Sequence, residues 1–250
     1  MSKIIDVIGI GPGNLDGMTL EAKQALENCD VIVGYTKYVE LLAPYFPQKE
    51  TFTTGMRQEI ERCRACFDLA AQGKRVAFVC SGDAGVYGMA APMFELLPEY
   101  ENKPGYEGIQ VGVMAGVTAA NSGAALLGAP LNHDYCVISL SDLLTPWETI
   151  EKRLQAAILG DFAIAIYNPS SHKRKDYLKR ACEIMLAAGA SPMRACGYAK
   201  NIGREGTQVQ TCNLQELAEA EADMFTTVFV GNSQSFIQDG KLITKRGYSI

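Results

Sequence analysis

Val76-Ala77-Phe78-Val79-Cys80, running into Ser81-Gly82-Asp83-Ala84-Gly85-Val86-Tyr87-Gly88-Met89-Ala90, is the stretch on which the fold turns. The first five residues are continuously apolar and rich in β-formers, as in a strand covered on both faces of a parallel sheet. The next ten hold three glycines and one charge, Asp83. Glycines just past a strand's carboxyl end let backbone approach a bound molecule closely, and in open α/β sheets small molecules bind there.

Outward from this turn the same grammar repeats. Lys3 to Gly11 reads as a first buried strand, followed by Gly11-Pro12-Gly13-Asn14 and a helix capped around Thr19, with Leu20, Ala22, Ala25 and Leu26 on its apolar side. Val31-Ile32-Val33 is a second strand. Residues 44 to 54 form a polar, Pro-marked connection, Arg57 to Ala71 a helix, and Met89 to about Leu97 another. Ile109 to Val113 is the next strand, and Gly116-Val117-Thr118-Ala119-Ala120-Asn121-Ser122 opens a helix of small residues. A second series then begins: strands 136 to 140, 162 to 167, 194 to 198 and 226 to 230, with helices 147 to 158, 174 to 188 and 214 to 220. Strands alternating with helices predict an α/β protein with mostly parallel sheets. The boundary falls near residue 117, giving two α/β domains, 1–117 and 118–250.

The totals bound the function. A chain of 250 residues with 48% hydrophobic and 20% charged residues is long enough for a packed core and shows no bias toward disorder. Its net charge of -5 argues against a broad nucleic-acid surface. The apolar run from Ile4 to Ile10 is short for a signal core, and no stretch approaches the roughly 18 apolar residues of a membrane span, so a cytoplasmic protein is expected. The eight cysteines are scattered and read as reduced thiols. Cys63 and Cys66 form a lone C-x-x-C without a matching pair, so no metal site is expected.

The first strand and its loop resemble a dinucleotide fingerprint, but the spacing is G-x-G-P-G, Pro12 lacks an N–H, and the second strand ends in Gly34-Tyr35 where a ribose-binding acid would stand. Nicotinamide and nucleoside triphosphate readings rank low. Gly11-Pro12-Gly13, Ser81-Gly82-Asp83 and Gly116 to Ala119 end strands of the first half; Tyr167-Asn168-Pro169-Ser170 and Tyr198-Ala199-Lys200 end strands of the second. Such backbone-rich ends suit a ligand with many hydrogen-bonding atoms. His133-Asp134 could hold or relay a proton, with the solvated loop pair as the alternative. His172 has the same standing, and Lys37, Arg57, Lys200 and Arg204 are candidate partners for substrate carboxylates.

Taken together, several segments resemble the tetrapyrrole methylases, S-adenosylmethionine enzymes acting on corrin precursors. These are Val7-Ile-Gly-Ile-Gly-Pro-Gly13, Ser81 to Ala90, Gly116 to Gly123, His133-Asp134 with Ser139-Leu-Ser-Asp-Leu-Leu-Thr-Pro-Trp147, Tyr167-Asn-Pro169, and Thr226-Thr-Val-Phe-Val-Gly-Asn-Ser233. The segment 133 to 147 and the tail, through Arg246-Gly247-Tyr248, look specific to the ring-contracting branch. The resemblance spans the whole chain. It implies two α/β domains with S-adenosyl-L-methionine in the cleft between them, a homodimer, and methylation of a precorrin-3B or cobalt-precorrin-3 type macrocycle at C-17 with ring contraction in cobalamin biosynthesis. It also implies donor contacts at Pro12, Ser81, Gly82, Asp83, Val86, Thr118, Ala119, Asn168, Ala199 and Thr227. His133, Asp134 and Asp142 are then the acid/base candidates for ring contraction. Ala84 departs from the family, where many relatives have proline. The alternatives are a class member acting on RNA or in the diphthamide pathway, disfavoured for RNA by the acidic balance, and a noncatalytic tetrapyrrole-binding module.

Overall fold

The computed structural model describes residues 3–171 and 174–249. The chain divides into two compact units, Met1–Thr118 and Ala119–Ile250.

The first unit runs β1 (Ile4–Gly9), α1 (Leu20–Asn28), β2 (Val31–Tyr35), α2 (Thr36–Leu42), β3 (Glu50–Thr54), α3 (Glu59–Ala71), β4 (Val76–Cys80), α4 (Ala90–Glu101) and β5 (Gln110–Met114). The strands form a parallel sheet in the order β3-β2-β4-β1-β5. Alternation within each strand feeds two cores. Ile5, Val7, Val31, Val33, Val76 and Phe78 pack with Cys63, Phe67 and Met93 of α3 and α4, while Ile8, Ile32, Ala77 and Val79 pack with Leu26 and Val39 of α1 and α2. This is why β4 is apolar throughout: both its faces are covered. Thr19 caps α1, its hydroxyl accepting from Ala22 N at 3.2 Å, as its position before the apolar run predicts.

The second unit runs α5 (Ala119–Leu127), β6 (Gly128–Ala129), β7 (Tyr135–Ser139), α6 (Trp147–Leu159), β8 (Ala163–Tyr167), α7 (Tyr177–Ala187), β9 (Ala195–Lys200), β10 (Gln208–Asn213), α8 (Leu214–Leu217), β11 (Thr226–Val230), β12 (Ser235–Gln238) and β13 (Lys241–Thr244). Its main sheet has the order β10-β9-β11-β8-β7. The α/β character holds here, but the expected parallel pairing holds only for β7 with β8; β9 with β10 and β11 with both β8 and β9 are antiparallel. The reason lies in the connections. Residues 201–207 carry β9 into β10 with no crossover helix, and a strand that turns straight back must pair antiparallel. On one face, α6, α7 and α8 cover Ile138, Ile164, Ile166, Cys196, Val228 and Val230. On the other, α5 lies over Ala165, Ala195 and Phe229. A Cβ on Gly123 would come within 2.9 Å of the Phe229 ring, and one on Gly197 within 2.8 Å of Leu127. The small residues of α5 therefore serve close packing of helix on sheet.

The sequence reading passes over α2, β3, β6, β10 and the β12–β13 hairpin. The hairpin turns on Asp239-Gly240, both at positive φ (50° and 70°), and β13 pairs in parallel with the two-residue β6.

Candidate active site

In the first unit, three strand ends are drawn together by backbone. Gly11 and Gly82 exchange hydrogen bonds, Gly11 N to Gly82 O at 3.0 Å and Gly82 N to Gly11 O at 2.7 Å, so the loops after β1 and β4 pair as a one-residue bridge. Both glycines have positive φ, 75° and 70°. The loop after β5 closes on the same spot. A Cβ on Gly116 would lie 2.1 Å from Gly82 O and 2.6 Å from Gly9 O, separations no substituted residue tolerates.

Asp83 locks this arrangement. Its Oδ1 accepts from Gly85 N at 2.7 Å and its Oδ2 from Gly116 N at 2.8 Å, so one carboxylate ties its own turn to the β5 loop. Thr19, while capping α1, also donates to Ala115 O at 3.1 Å. The structure thus brings Pro12, Ser81, Gly82, Asp83, Val86 and Thr118 to one edge of the first sheet. Ala84 is fully buried, and its carbonyl accepts from Ala90 N at 3.0 Å as α4 begins.

In the second unit, Ala119, Asn168, Ala199 and Thr227 also gather. Thr227 pairs with Ala199 in register, both are buried, and both lie on the α5 face. Tyr167 OH accepts from Ala120 N at 2.7 Å, tying the start of α5 to the end of β8. Asn168 follows with φ of 52°, its Nδ2 donating to Ser139 Oγ at 2.9 Å.

The three acid/base candidates are not brought together. His133 and Asp134 form an exposed pair, Nδ1 to Oδ2 3.7 Å, before the amino end of β7. Asp134 O accepts from Ala163 N, at the opposite edge of the sheet from Asn168 and Thr227. Asp142 follows the carboxyl end of β7, so the length of that strand, about 13 Å at roughly 3.3 Å per residue, separates them. The Asp142 carboxylate is already engaged, accepting from Tyr177 OH at 2.5 Å and from Arg174 Nη1 at 3.2 Å. The Tyr177 hydroxyl, with Arg174, holds its carboxyl below the usual carboxylate range, so Asp142 is a fixed anion at neutral pH. A depressed native pKa gives stability that is present above the ordinary carboxylate value and lost as pH falls through the lowered one. Tyr177→Phe is accordingly expected to cost about 1 kcal/mol at pH 7, discounted for the partial exposure of Asp142, with the difference fading below about pH 4. Urea melts of both proteins across that range check it.

The remaining candidates are spread out. Lys37 pairs with Glu40 at 2.9 Å on the surface of α2, and Lys200 with Asp223 at 2.7 Å. Arg204 lies over the Phe225 ring, and Arg57 is exposed with a φ of 65°. His172 lies outside the described residues. Cys63 and Cys66 sit buried in α3; burial pushes the Cys63 thiol up to about 12 and holds Cys66 well above the ordinary thiol range, so both stay protonated. The Gly231-Asn232-Ser233 motif has a structural use. Ser233 N and Oγ both donate to Asp161, Asn232 Oδ1 accepts from Gln234 N, and Ser235 Oγ meets Thr244 Oγ1 at 2.6 Å.

Sequence reading missed Arg62. It is 4% exposed on α3, although its helical spacing from Cys66 places it on the buried face.

Comparison with known proteins agrees with this geometry. The family described as Tetrapyrrole (Corrin/Porphyrin) Methylases matches residues 5–218. A Salmonella typhimurium protein named "Probable cobalt-factor III C(17)-methyltransferase" is 44% identical over 99% of this chain and 100% of its own length. The Priestia megaterium "Cobalt-factor III methyltransferase" is also 44% identical, over 97% of this chain and 44% of that longer protein. Among solved structures, the methyltransferase CobJ superposes with a TM-score of 0.87 at 37% identity, covering 96% of this chain and 99% of that one. The glycine-bridged strand ends therefore have a lineage as well as a geometry: the chain belongs to the tetrapyrrole (corrin/porphyrin) methylases.

Proposed function

We propose that this protein transfers a methyl group from S-adenosyl-L-methionine to C-17 of a precorrin-3B or cobalt-precorrin-3 type macrocycle, with ring contraction, in cobalamin biosynthesis. The observation that carries this reading is the end-to-end likeness to a relative named for C-17 methylation. The residues present fit the donor. Gly9 and Gly116 let the strand ends close into a floor of bare backbone, since a Cβ on either would strike neighbouring main chain, and small side chains at Ala119 and Ala199 suit a ligand held by main chain.

When bound, the donor supplies a methyl group activated on a sulfonium, and its transfer to a nucleophilic ring carbon discharges a cation. The protein's own work is then positioning and exclusion of water. Asp83 does the first by fixing the relative placement of the β4 and β5 loops; its negative charge also favours a cationic ligand. Pro12, Ser81, Val86 and Thr118 in the first unit, and Asn168 and Thr227 in the second, complete the proposed donor contacts. Asp142 acts as a fixed negative charge, and His133 and Asp134, at the far edge of their sheet, take no part in handling the donor. The two halves, 1–117 and 118–250, act as the two domains of the family type, in a cytoplasmic homodimer. Among the described residues no helix is long and apolar enough to cross a membrane.

Incubation with labelled donor and trimethylated precursors, with and without cobalt, tests the reading. Label in the pigment, with the mass and absorbance of a contracted ring, is the expected result. Label in RNA or protein, or binding without turnover, would overturn it.

A further inference from the structure

The first unit carries a pocket of about 220 Å³ at the carboxyl ends of β2 and β4; it borders the proposed donor contacts at Ser81, and the rest of its lining is given no role above. Its mouth is apolar and aromatic: Tyr87 is 59% and Met56 54% exposed, and Tyr35 meets Tyr38 edge to face at 5.2 Å. Tyr87 is held there with φ of 53°, a conformation bulky residues rarely adopt, and such strain concentrates at ligand clamps. The interior is different. Arg62 is almost wholly buried, its Nη1 donating to Thr54 Oγ1 at 2.6 Å and to Gly55 O at 2.7 Å. Both acceptors are neutral. The anion beside it is Glu59, 3.3 Å from Nη2, with a side chain 48% exposed. Among the described residues lining the pocket, Arg62 and Glu59 are the charged ones.

A buried cation whose counterion stands half in water is a poorly neutralised cation. Ion pairs with one foot in solvent hold weakly, while a carboxylate brought into the pocket would meet the guanidinium out of water, where the interaction is stronger. The volume decides what can enter. It is below the range of about 300–1,000 Å³ typical of whole-ligand sites, so it accommodates a side arm and not a macrocycle. An acidic arm inside, with a flat apolar body lying on tyrosine and methionine at the mouth, matches both parts.

We infer that this pocket receives one carboxylate arm of the tetrapyrrole, with Arg62 as the specificity-determining residue and Glu59 as the resident counterion that the arm displaces. The inference rests on the proposed tetrapyrrole substrate. It makes Glu59 a competitor of the substrate, an effect that a merely structural ion pair would not produce.

The test is equilibrium binding of uroporphyrin III, a porphyrin with carboxylate arms on every pyrrole ring, followed by fluorescence, together with methyl-transfer kinetics on the trimethylated precursor. Glu59→Gln is expected to tighten porphyrin binding and lower KM about three- to tenfold, with kcat within about twofold. Arg62→Met is expected to weaken both by about tenfold or more. Affinity for S-adenosylhomocysteine should be unchanged in each. If Arg62→Met fails to fold, Glu59→Gln decides alone: porphyrin affinity unchanged or weakened overturns the pocket assignment, as does wild-type protein that binds no porphyrin. Methyl transfer by wild type with an inert Glu59→Gln leaves the function standing and removes the pocket. Porphyrin binding that responds to both substitutions without any methyl transfer does the reverse.

Discussion

Substituting alanine for Gly116 is expected to cost about 3 kcal/mol or more of stability and to abolish binding of S-adenosylhomocysteine. The new Cβ would lie 2.1 Å from Gly82 O and 2.6 Å from Gly9 O. Those are backbone atoms of two other strand ends, themselves bonded through the Gly11–Gly82 bridge, so no flexible side chain can yield. Overpacking a well-filled interior costs roughly 1–3 kcal/mol when side chains can adjust, and this site lies at or beyond the upper end. For a chain of this size the melting midpoint should fall by about 6–12 °C. The floor opens as the β5 loop is pushed off, so binding suffers beyond what instability explains. Calorimetry with S-adenosylhomocysteine at a temperature where the variant stays folded separates the two. Wild-type affinity in a folded variant would refute the assignment of this floor to the donor.

The second large effect is expected at Asp83→Asn, a substitution that changes almost no volume. The carboxylate satisfies two N–H donors with its two oxygens, Gly85 on one side and Gly116 on the other. Asparagine offers one oxygen, and whichever way its amide turns, an NH₂ group faces an N–H. Hydrogen bonds to a charged acceptor are worth about 1.5–3 kcal/mol, and an abandoned, partly buried donor adds its desolvation cost. A loss of about 2–3 kcal/mol and an affinity for S-adenosylhomocysteine at least tenfold weaker are expected, from denaturant melts and calorimetry respectively. Full stability in Asp83→Asn would mean that the tie between the two loops is made elsewhere.

The sequence revealed this part of the molecule because its requirements are local. A continuous apolar strand followed by closely spaced glycines can be recognised without knowing what it pairs with; β4 carries that signature in full, and β1 carries it with the one interruption of Asp6. The elements that were missed depend on partners. β3 is Glu-Thr-Phe-Thr-Thr, an edge strand whose outer side has no neighbour in the sheet and whose polar composition imitates a loop. β10, another edge, is Gln-Val-Gln-Thr-Cys-Asn. The direction of β11 was hidden for a different reason: a buried strand reads alike in either orientation, and only the helix-free link at 201–207 betrays the antiparallel run. The β12–β13 hairpin was legible in principle, since Asp239-Gly240 between short strands is a strong hairpin signal. At the site, the glycine and Asp83 positions were evident, whereas the split between His133-Asp134 and Asp142 was not, because sequence proximity conceals the length of a strand standing between them. Arg62 was passed over among the apolar residues of α3, where helical spacing does place it.

The pairing of β13 with β6 also bears on how the second unit is made. Leu242 meets Gly128 and Thr244 Oγ1 donates to Pro130 O, across more than a hundred intervening residues. Closing so long a loop is entropically costly, and contacts of this kind slow the approach to the native state. A nascent chain on the ribosome can assemble the first sheet early, yet it must wait for Thr244 to emerge before this seam can form. Until then the hairpin's place beside β6 stands open, and that interval is when the second unit is most exposed to proteases and to aggregation.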